Sequence, residues 1–228
     1  MQTHFEKDLE DLKSRLLEMA SHAEASTKGA IKALVDRNDD LARKVITDDC
    51  TLDRFEMEID DLAITILSRA PLAKDLRLIT VAMKISRDLE RVGDEATTMA
   101  RRSLELSQEP QLKPYVDIPR MGTMALEMLA SALGAFVRRD PASAREVVPR
   151  DKEVDALNKQ LHRELASYMI EKPSTITRCL NLMVISKAIE RIADHAANIA
   201  EDVVFLFEGR DIRHAGGTSS GSVNKPMV

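Results

Sequence analysis

The chain repeats itself at an offset of about one hundred residues. The segment ISRDLERVGD at 85–94 returns as ISKAIERIAD at 185–194. The match extends upstream at an offset of 102, where RKVITDD at 43–49 corresponds to REVVPRD at 145–151. Because a repeat of this length indicates one structural unit built twice, the sequence predicts a duplicated architecture.

The composition favours helices over sheets. Of the 228 residues, 44% are hydrophobic and 31% are charged, which suits a globular protein with a sizeable core. Aromatic residues make up only 3% and Trp is missing, whereas Ala, Leu, Ile and Met abound. We therefore expect an all-α fold, a tandem repeat of two three-helix bundles made of six long antiparallel helices.

Capping residues and prolines divide the chain into two sets of three helices. The predicted helices span about residues 3–36, 38–70, 73–107, 118–139, 140–172 and 175–208. The predicted domains are a first bundle at 1–107, a linker at 108–117, a second bundle at 118–208 and a disordered tail at 209–228. Pro149 lies inside the fifth helix, where it should bend the axis close to Asp151.

Charge and cysteine content exclude several kinds of ligand. The net charge is −5 and the basic residues are scattered among acids, so nucleic acid is not an expected partner. Cys50 and Cys179 lack CxxC spacing, which favours reduced thiols over a zinc site. The sequence has no apolar run of membrane-spanning length and no signal-peptide pattern, so we expect a cytoplasmic protein.

Each repeat carries two acidic pairs with three residues between the acids. The pairs are Asp49/Asp53 and Glu90/Asp94 in the first repeat, and Asp151/Asp155 and Glu190/Asp194 in the second. In an antiparallel hairpin, residues at equal height have numbers with a constant sum. A first turn between Pro71 and Leu72 puts Asp53 level with Glu90, and a second turn between Lys172 and Pro173 does the same for the second repeat. The sequence thus predicts four carboxylates at one level in each hairpin.

The helical seam predicts which way these acids point. Leu89 and Val92 fall at core-facing a and d positions, which puts Glu90 and Asp94 at outward b and f positions. We therefore expect the acids to be exposed. Like charges four residues apart repel by roughly 0.2–0.5 kcal/mol on a helix surface. Because both repeats have this unfavourable pair of acids, we expect the acids to have a function.

Four level carboxylates repel one another unless a proton or a cation lies between them. All-oxygen ligands suit hard ions such as Mg²⁺, Ca²⁺ and Mn²⁺, or iron. A wet acidic groove without metal, neutralised by nearby arginines and lysines, is the alternative. Two histidines are further candidates: His162 aligns with Asp60 of the first repeat, and His195 follows Asp194, although an exposed helical histidine more often has no such role.

Four segments in order resemble the motifs of the PhoU family of phosphate-signalling regulators. They are DLRL at 75–78, LERVGD at 89–94, IERIAD at 189–194 and FEGRDIRH at 207–214. The resemblance covers residues 3–214 and implies a tandem three-helix bundle with a Glu/Asp-x3-Asp motif in each half. Gly93 is replaced by Ala193 in the second half, which is a departure between the repeats.

The resemblance implies a cytoplasmic, non-enzymatic negative regulator of phosphate uptake. Its implied partners are the ATP-binding subunit of a phosphate ABC transporter and a sensor histidine kinase, through which it would reach the membrane; a homodimer is also implied as possible. Family members carry metal clusters at the acidic motifs, so the resemblance implies metal ions here as well. Together with the all-oxygen ligands, this leads us to expect divalent or trivalent ions, Mg, Mn or Fe, held by carboxylates. The implied metal ligands are Asp49, Asp53, Glu90, Asp94, Asp151, Asp155, Glu190 and Asp194.

Two other functions compete with the regulator. A di-iron oxidase would need Glu-x-x-His motifs on inward faces, and no Glu of this chain has His three residues later. A metal-free helical scaffold that binds basic surfaces of partner proteins differs from the regulator only in whether metal is used, so this alternative stays open.

Overall fold

Eight α-helices and two short 3-10 turns build the described part of the chain, residues 4–69, 73–210 and 212 of a computed structural model. The helices are α1 (His4–Asp36), α2 (Asp39–Asp48), α3 (Cys50–Leu67), α4 (Ala73–Ser107), α5 (Asp117–Arg138), α6 (Pro141–Val147), α7 (Asp151–Glu171) and α8 (Ile176–Glu208). The described ranges contain no strand, which confirms the all-α class. The predicted tail lies largely outside these ranges.

The second and fifth predicted helices are each interrupted. The prediction of one helix over 38–70 is wrong at Asp49, which separates α2 from α3. There the backbone carbonyl of Asp49 accepts a hydrogen bond from the Leu52 amide, three residues on, at 2.9 Å. Its predicted end at Ala70 and Pro71 lies outside the described residues. Pro149 disturbs the fifth helix as expected, because proline has no N–H to donate; a 3-10 turn at Val148–Arg150 separates α6 from α7.

The same turn closes α1 and α5. Arg37 and Arg139 both adopt left-handed backbone, with φ of 52° and 58°. The residue after each arginine caps the next helix: Asn38 accepts from the Leu41 amide at 3.0 Å, and Asp140 accepts from the Ser143 amide at 3.1 Å. The repeat seen in the sequence is therefore also a repeat of backbone conformation.

A seam of branched side chains forms the centre of each half. Ile85, Leu89 and Val92 of α4 are fully buried, as the a and d pattern predicts. Their counterparts in α8 are buried equally: Ile185, Ile189 and Ile192. Each bundle thus forms around the helix that carries its Glu-x3-Asp motif.

Gly93 lies where α4 meets α3. A methyl group built on it would be 2.2 Å from Leu52 Cδ1, so an alanine here would require the Leu52 side chain to shift. In the second half the corresponding residues are Ala193 and Val154, both buried. The half with the extra methyl on residue 193 thus has the smaller side chain at the position aligned with Leu52, as packing at this position would require.

The two halves meet along α4 and α8, which run antiparallel. Three contacts give the direction, because rising α4 numbers pair with falling α8 numbers. They are Lys84 with Asp202 at 3.1 Å, Asp88 with His195 at 2.9 Å, and Glu95 with Arg191 at 3.1 Å. This packing brings Asp94 and Asp194, one acid from each motif, to the same groove between α4 and α8.

Candidate metal centres

The structure brings the four acids of the first repeat together, and we call them the first acidic cluster: Asp49, Asp53, Glu90 and Asp94. The charge of Asp94 acts on Asp49, and that of Asp53 acts on Glu90, across the contact of α4 with the segment from Asp49 into α3. These are the level pairs that the constant sum predicts. A fifth carboxylate, Glu56, also acts on Glu90.

Burial and mutual repulsion make these carboxyls harder to ionise. Burial raises the pKa of Asp49 above its ordinary value of 3.8, and the charges of Asp94 and Asp53 add to this, while the Thr97 hydroxyl opposes it. Burial likewise raises the pKa of Glu90, with Asp94 next in effect. The first acidic cluster thus holds negative charge at an electrostatic cost.

The second acidic cluster is formed by Asp151, Asp155, Glu190 and Asp194. Asp194 lies within hydrogen-bonding reach of Asp151, and Glu190 within reach of Asp155, again as the constant sum predicts. Burial raises the pKa of Asp194, and the charge of Asp151 raises it further. A carboxylate pair this close is stable only with a shared proton or a cation.

Two lysines contact the second acidic cluster. Lys187 forms an ion pair with Glu190 Oε2, and Lys159 Nζ lies 2.8 Å from Asp155 Oδ2. The hydrogen bond from Lys159 is the main reason why the pKa of Asp155 is lowered. The i,i+3 spacing of Lys187 and Glu190 is visible in the sequence. Lys159 was not identified from the sequence, although the i,i+4 spacing of Asp155 and Lys159 is typical of an ion pair on a helix.

The expectation that all the acids are exposed is wrong. Asp53 and Asp94 are exposed, but Glu190 is only 6% exposed. The other five are half-buried: Asp49, Glu90, Asp151, Asp155 and Asp194. The b and f positions of α4 and α8 point away from the seam, but they are partly covered because acids at the same height on the other helix of the hairpin lie against them.

The two candidate histidines, His162 and His195, contact residues outside the acidic clusters. His195 Nδ1 lies 2.9 Å from Asp88 Oδ1 and so joins α8 to α4. His162 Nε2 lies 3.1 Å from the Ser186 hydroxyl, which donates in turn to Asn158 Oδ1 at 2.8 Å. The structure therefore engages both candidate histidines in helix-packing contacts.

The donor chemistry of the clusters fits a hard cation. Over residues 4–69, 73–210 and 212, no three His, Cys, Asp or Glu side chains are arranged as a metal site would require. However, Asp151 Oδ1 is buried and meets no donor other than the Asp194 carboxyl when that group carries a proton. A buried carboxylate oxygen in this position is one that a proton or a hard cation stabilises.

A groove of about 510 Å³ joins the two clusters across the contact of α4 and α8. Six of its lining residues are three equivalent pairs of the two repeats, namely Arg91 with Arg191, Asp94 with Asp194 and Glu95 with His195, and the seventh is Asn198. Asp94 and Asp194 belong to the clusters as well as to the groove. Ligands of either cluster would therefore share one surface.

Comparison with known proteins gives one consistent family. The family model described as the PhoU domain matches residues 16–103 and again 118–203. The phosphate-specific transport system accessory protein PhoU homolog of Pseudomonas aeruginosa is 42% identical over 216 residues, which are 94% of this chain and 89% of the relative. The PhoU protein of Escherichia coli is 34% identical over 214 residues, covering 93% and 89%.

Two crystal structures share the fold. That of PhoU from Pseudomonas aeruginosa matches with a TM-score of 0.88 and 41% identity, covering 91% of this chain and 100% of that chain. That of the phosphate transport system regulatory protein PhoU from Streptococcus pneumoniae matches with a TM-score of 0.86 and 27% identity, covering 92% and 99%. The duplicated helical bundle is thus the PhoU fold. The chain belongs to the PhoU family.

Proposed function

We propose that this protein is an accessory regulator of a phosphate-specific transport system, which restrains phosphate uptake and the starvation response when phosphate is plentiful. The observation that carries the proposal is that this PhoU-family chain has one acidic cluster on each of its two hairpins. The names of the relatives link the family to phosphate transport. The proposed restraint of phosphate uptake goes beyond these names and is based on the resemblance to the PhoU family of regulators.

The protein would act as an adaptor without catalysis of its own. Its partners would be the ATP-binding subunit of a phosphate ABC transporter and a sensor histidine kinase, and a homodimer is a further possibility. None of the helices in the described ranges has the length and apolar character that crossing a membrane requires. A cytoplasmic adaptor that reaches the membrane through its partners accords with this.

Hard cations, Mg²⁺, Mn²⁺ or iron, are the proposed ligands of the acidic clusters. A bound cation would supply positive charge that offsets the mutual repulsion of the carboxylates. The helices hold each acid at the height of its partner. The burial of Glu190 and the half-burial of Asp49 and Glu90 limit competition by water. Filling the clusters would also change the charge of the groove that a partner would face.

A metal-free scaffold is the second candidate. It draws support from the exposed carboxylates of Asp53 and Asp94, which a basic partner surface would meet directly. The two candidates predict opposite effects of chelators. A partner pull-down that survives complete removal of divalent and trivalent ions would favour the scaffold.

Deletion of the gene tests the regulatory role. Deletion should raise phosphate uptake in phosphate-rich medium, and the wild-type gene should restore repression. Asp94→Ala combined with Asp194→Ala should fail to restore it, whereas Glu153→Ala, an exposed acid of α7 outside the clusters, should succeed. Unchanged uptake in the deletion strain would contradict the proposal.

A further inference from the structure

We propose that one edge of α4 docks an acidic helical segment of a partner protein. This edge lies along α8, and we call its cations the basic edge: Arg77, Lys84 and Arg91. The inference rests on the proposed adaptor role and specifies the surface and the charge of the segment that it would receive. It does not involve the acidic clusters, whose carboxylates would attract basic surfaces instead.

The cations of the basic edge are seven residues apart on one continuous helix. Seven residues make nearly two turns, so the side chains leave the helix in almost the same direction at steps of about 10.5 Å. Lys84 Nζ lies 3.1 Å from Asp202 Oδ1 of α8. Arg77 lies over the ring of Phe205, also in α8, and Arg91 lines the groove between the two helices. All three cations therefore lie on the side of α4 that meets α8, along a line of about 21 Å.

Phe205 positions two of these cations. Arg77 Cζ lies 5.6 Å and Lys84 Nζ lies 5.4 Å from the centroid of its ring. Gly209 leaves room for the arginine, since a Cβ atom built on this glycine would be 3.1 Å from Arg77 Nη1. The face of an aromatic ring attracts a cation without using up its N–H donors. Two cations are thus held in place before a partner binds, which lowers the entropy cost of docking.

The charges of the basic edge remain available to a partner. Within the described ranges, Arg77 and Arg91 form no ion pair with a carboxylate, although the charge of Arg91 acts on Glu90. Lys84 is paired with Asp202, but its side chain is still 42% exposed. Guanidinium groups bind carboxylates through two parallel hydrogen bonds, so unpaired arginines favour an acidic partner.

The fold does not require this row of charges. At the offset of 100, the basic edge corresponds to Thr177, Val184 and Arg191 of α8. Only Arg191 is charged among these residues, and it is paired with Glu95 at 3.1 Å. The seams of α4 and α8 are buried equally, so packing of the two helices does not account for the three cations of α4.

Charge and spacing together define the partner segment. Acids at every seventh residue of a helix would meet the basic edge at steps of about 10.5 Å if that helix lay along α4. An apolar side chain between two of these acids would contact the half-buried ring of Phe205. The segment would end at Arg91, because Asp94 and Asp194 line the groove beyond it and would repel further acids.

Fluorescence anisotropy with two labelled peptides tests the inference. The acidic probe is an alanine-rich helical peptide with glutamate at every seventh residue and one leucine between the first two glutamates; the basic probe has lysine in place of each glutamate. The full chain should bind the acidic probe and not the basic one, and binding should weaken as salt rises. Arg77→Gln with Arg91→Gln should weaken binding at least about threefold, the factor expected when two exposed ion pairs are lost.

Two further variants control for charge and folding. Arg77→Lys with Arg91→Lys keeps both charges and should retain most of the binding. Lys44→Gln with Arg163→Gln removes two exposed basic residues of α2 and α7 and should bind the acidic probe as wild type does. Thermal unfolding of each variant before titration shows whether lost binding reflects lost folding.

Three results would overturn docking at the basic edge. The first is no binding of the acidic probe, or equal binding of both probes. The second is unchanged binding by a folded Arg77→Gln, Arg91→Gln variant. The third is binding to phosphatidylglycerol vesicles that this variant loses, without binding of the acidic probe, which would assign the edge to a lipid surface.

Phosphate uptake in the deletion strain separates this inference from the regulatory role. If deletion raises uptake and the Arg77→Gln, Arg91→Gln variant restores repression as fully as the wild-type gene, docking at the basic edge is refuted and the regulatory role stands. If deletion leaves uptake unchanged, the regulatory role is refuted, and the peptide titration alone decides whether the basic edge binds acidic segments.

Discussion

Asp151 and Asp194 face each other across the hairpin of α7 and α8 within hydrogen-bonding reach, although two ionised carboxylates have no proton to share. Burial comes first among the causes that raise the pKa of each. The charge of Asp151 comes next for Asp194, whereas the charge of Asp155 comes next for Asp151, where the hydrogen bond with Asp194 opposes the rise. At pH values between 3.8 and the raised pKa values, the folded state therefore holds protons that the unfolded chain would release, and a bound cation would take the place of such a proton.

The stability of chelator-stripped protein should depend on pH through this pair. The folded pKa values lie above the ordinary value of 3.8, so between 3.8 and the raised values the folded state binds more protons than the unfolded state. The contribution of the pair to stability is thus fully present at low pH and falls as pH rises through the folded pKa values.

Asp194→Asn isolates this contribution. The amide carries no charge and can donate to Asp151, so the variant should be more stable than wild type at pH 7 in chelator, and the difference should shrink as pH falls. Urea unfolding at a series of pH values measures it. A variant less stable than wild type at pH 7 in chelator would show that the pair is not under repulsive strain.

Gly93→Ala should destabilise the first bundle. The new methyl would lie 2.2 Å from Leu52 Cδ1, and overpacking of this kind costs about 1–3 kcal/mol. Leu52→Val on the same chain should recover most of the loss, because the second bundle buries valine and alanine at the aligned positions, Val154 and Ala193. Chemical denaturation of the single and double variants measures both effects; a double variant no better than Gly93→Ala would refute the packing explanation.

The contact of Asp88 with His195 should stabilise the junction of the two halves. Both side chains are only about one-eighth exposed, at 12% and 13%, so removing one partner leaves a polar group with little access to water. Asp88→Ala should cost about 1–3 kcal/mol in unfolding free energy. Asp88→Asn, which keeps an oxygen acceptor for the ring, should cost distinctly less, and equal losses would assign the effect to packing alone.

Much of this geometry was predictable, because helical periodicity and antiparallel pairing are local rules. The seam of Leu89 and Val92 is buried as predicted, and the level pairing of Asp49 with Asp94 follows from the position of one turn. Proline chemistry likewise predicted the disturbance at Pro149. Each of these depends only on residues within one helix or one hairpin.

Other features depend on contacts that a single seam does not encode. Glu190 is buried because an acid of the neighbouring helix lies against it, and His195 is committed to Asp88 of the other half of the chain. The break between α2 and α3 at Asp49 has no glycine or proline nearby from which it could have been predicted.

Thermal unfolding of chelator-stripped protein with added Mg²⁺, Mn²⁺ or iron tests most directly whether the acidic clusters bind cations. Binding to the folded state alone stabilises it by about 2.7 kcal/mol at a hundredfold excess over Kd, so Tm should rise with at least one ion. Asp94→Ala with Asp194→Ala should abolish the rise, and Glu153→Ala should keep it. An unchanged Tm with all three ions would contradict the account and leave the acidic surfaces as docking sites for basic partners.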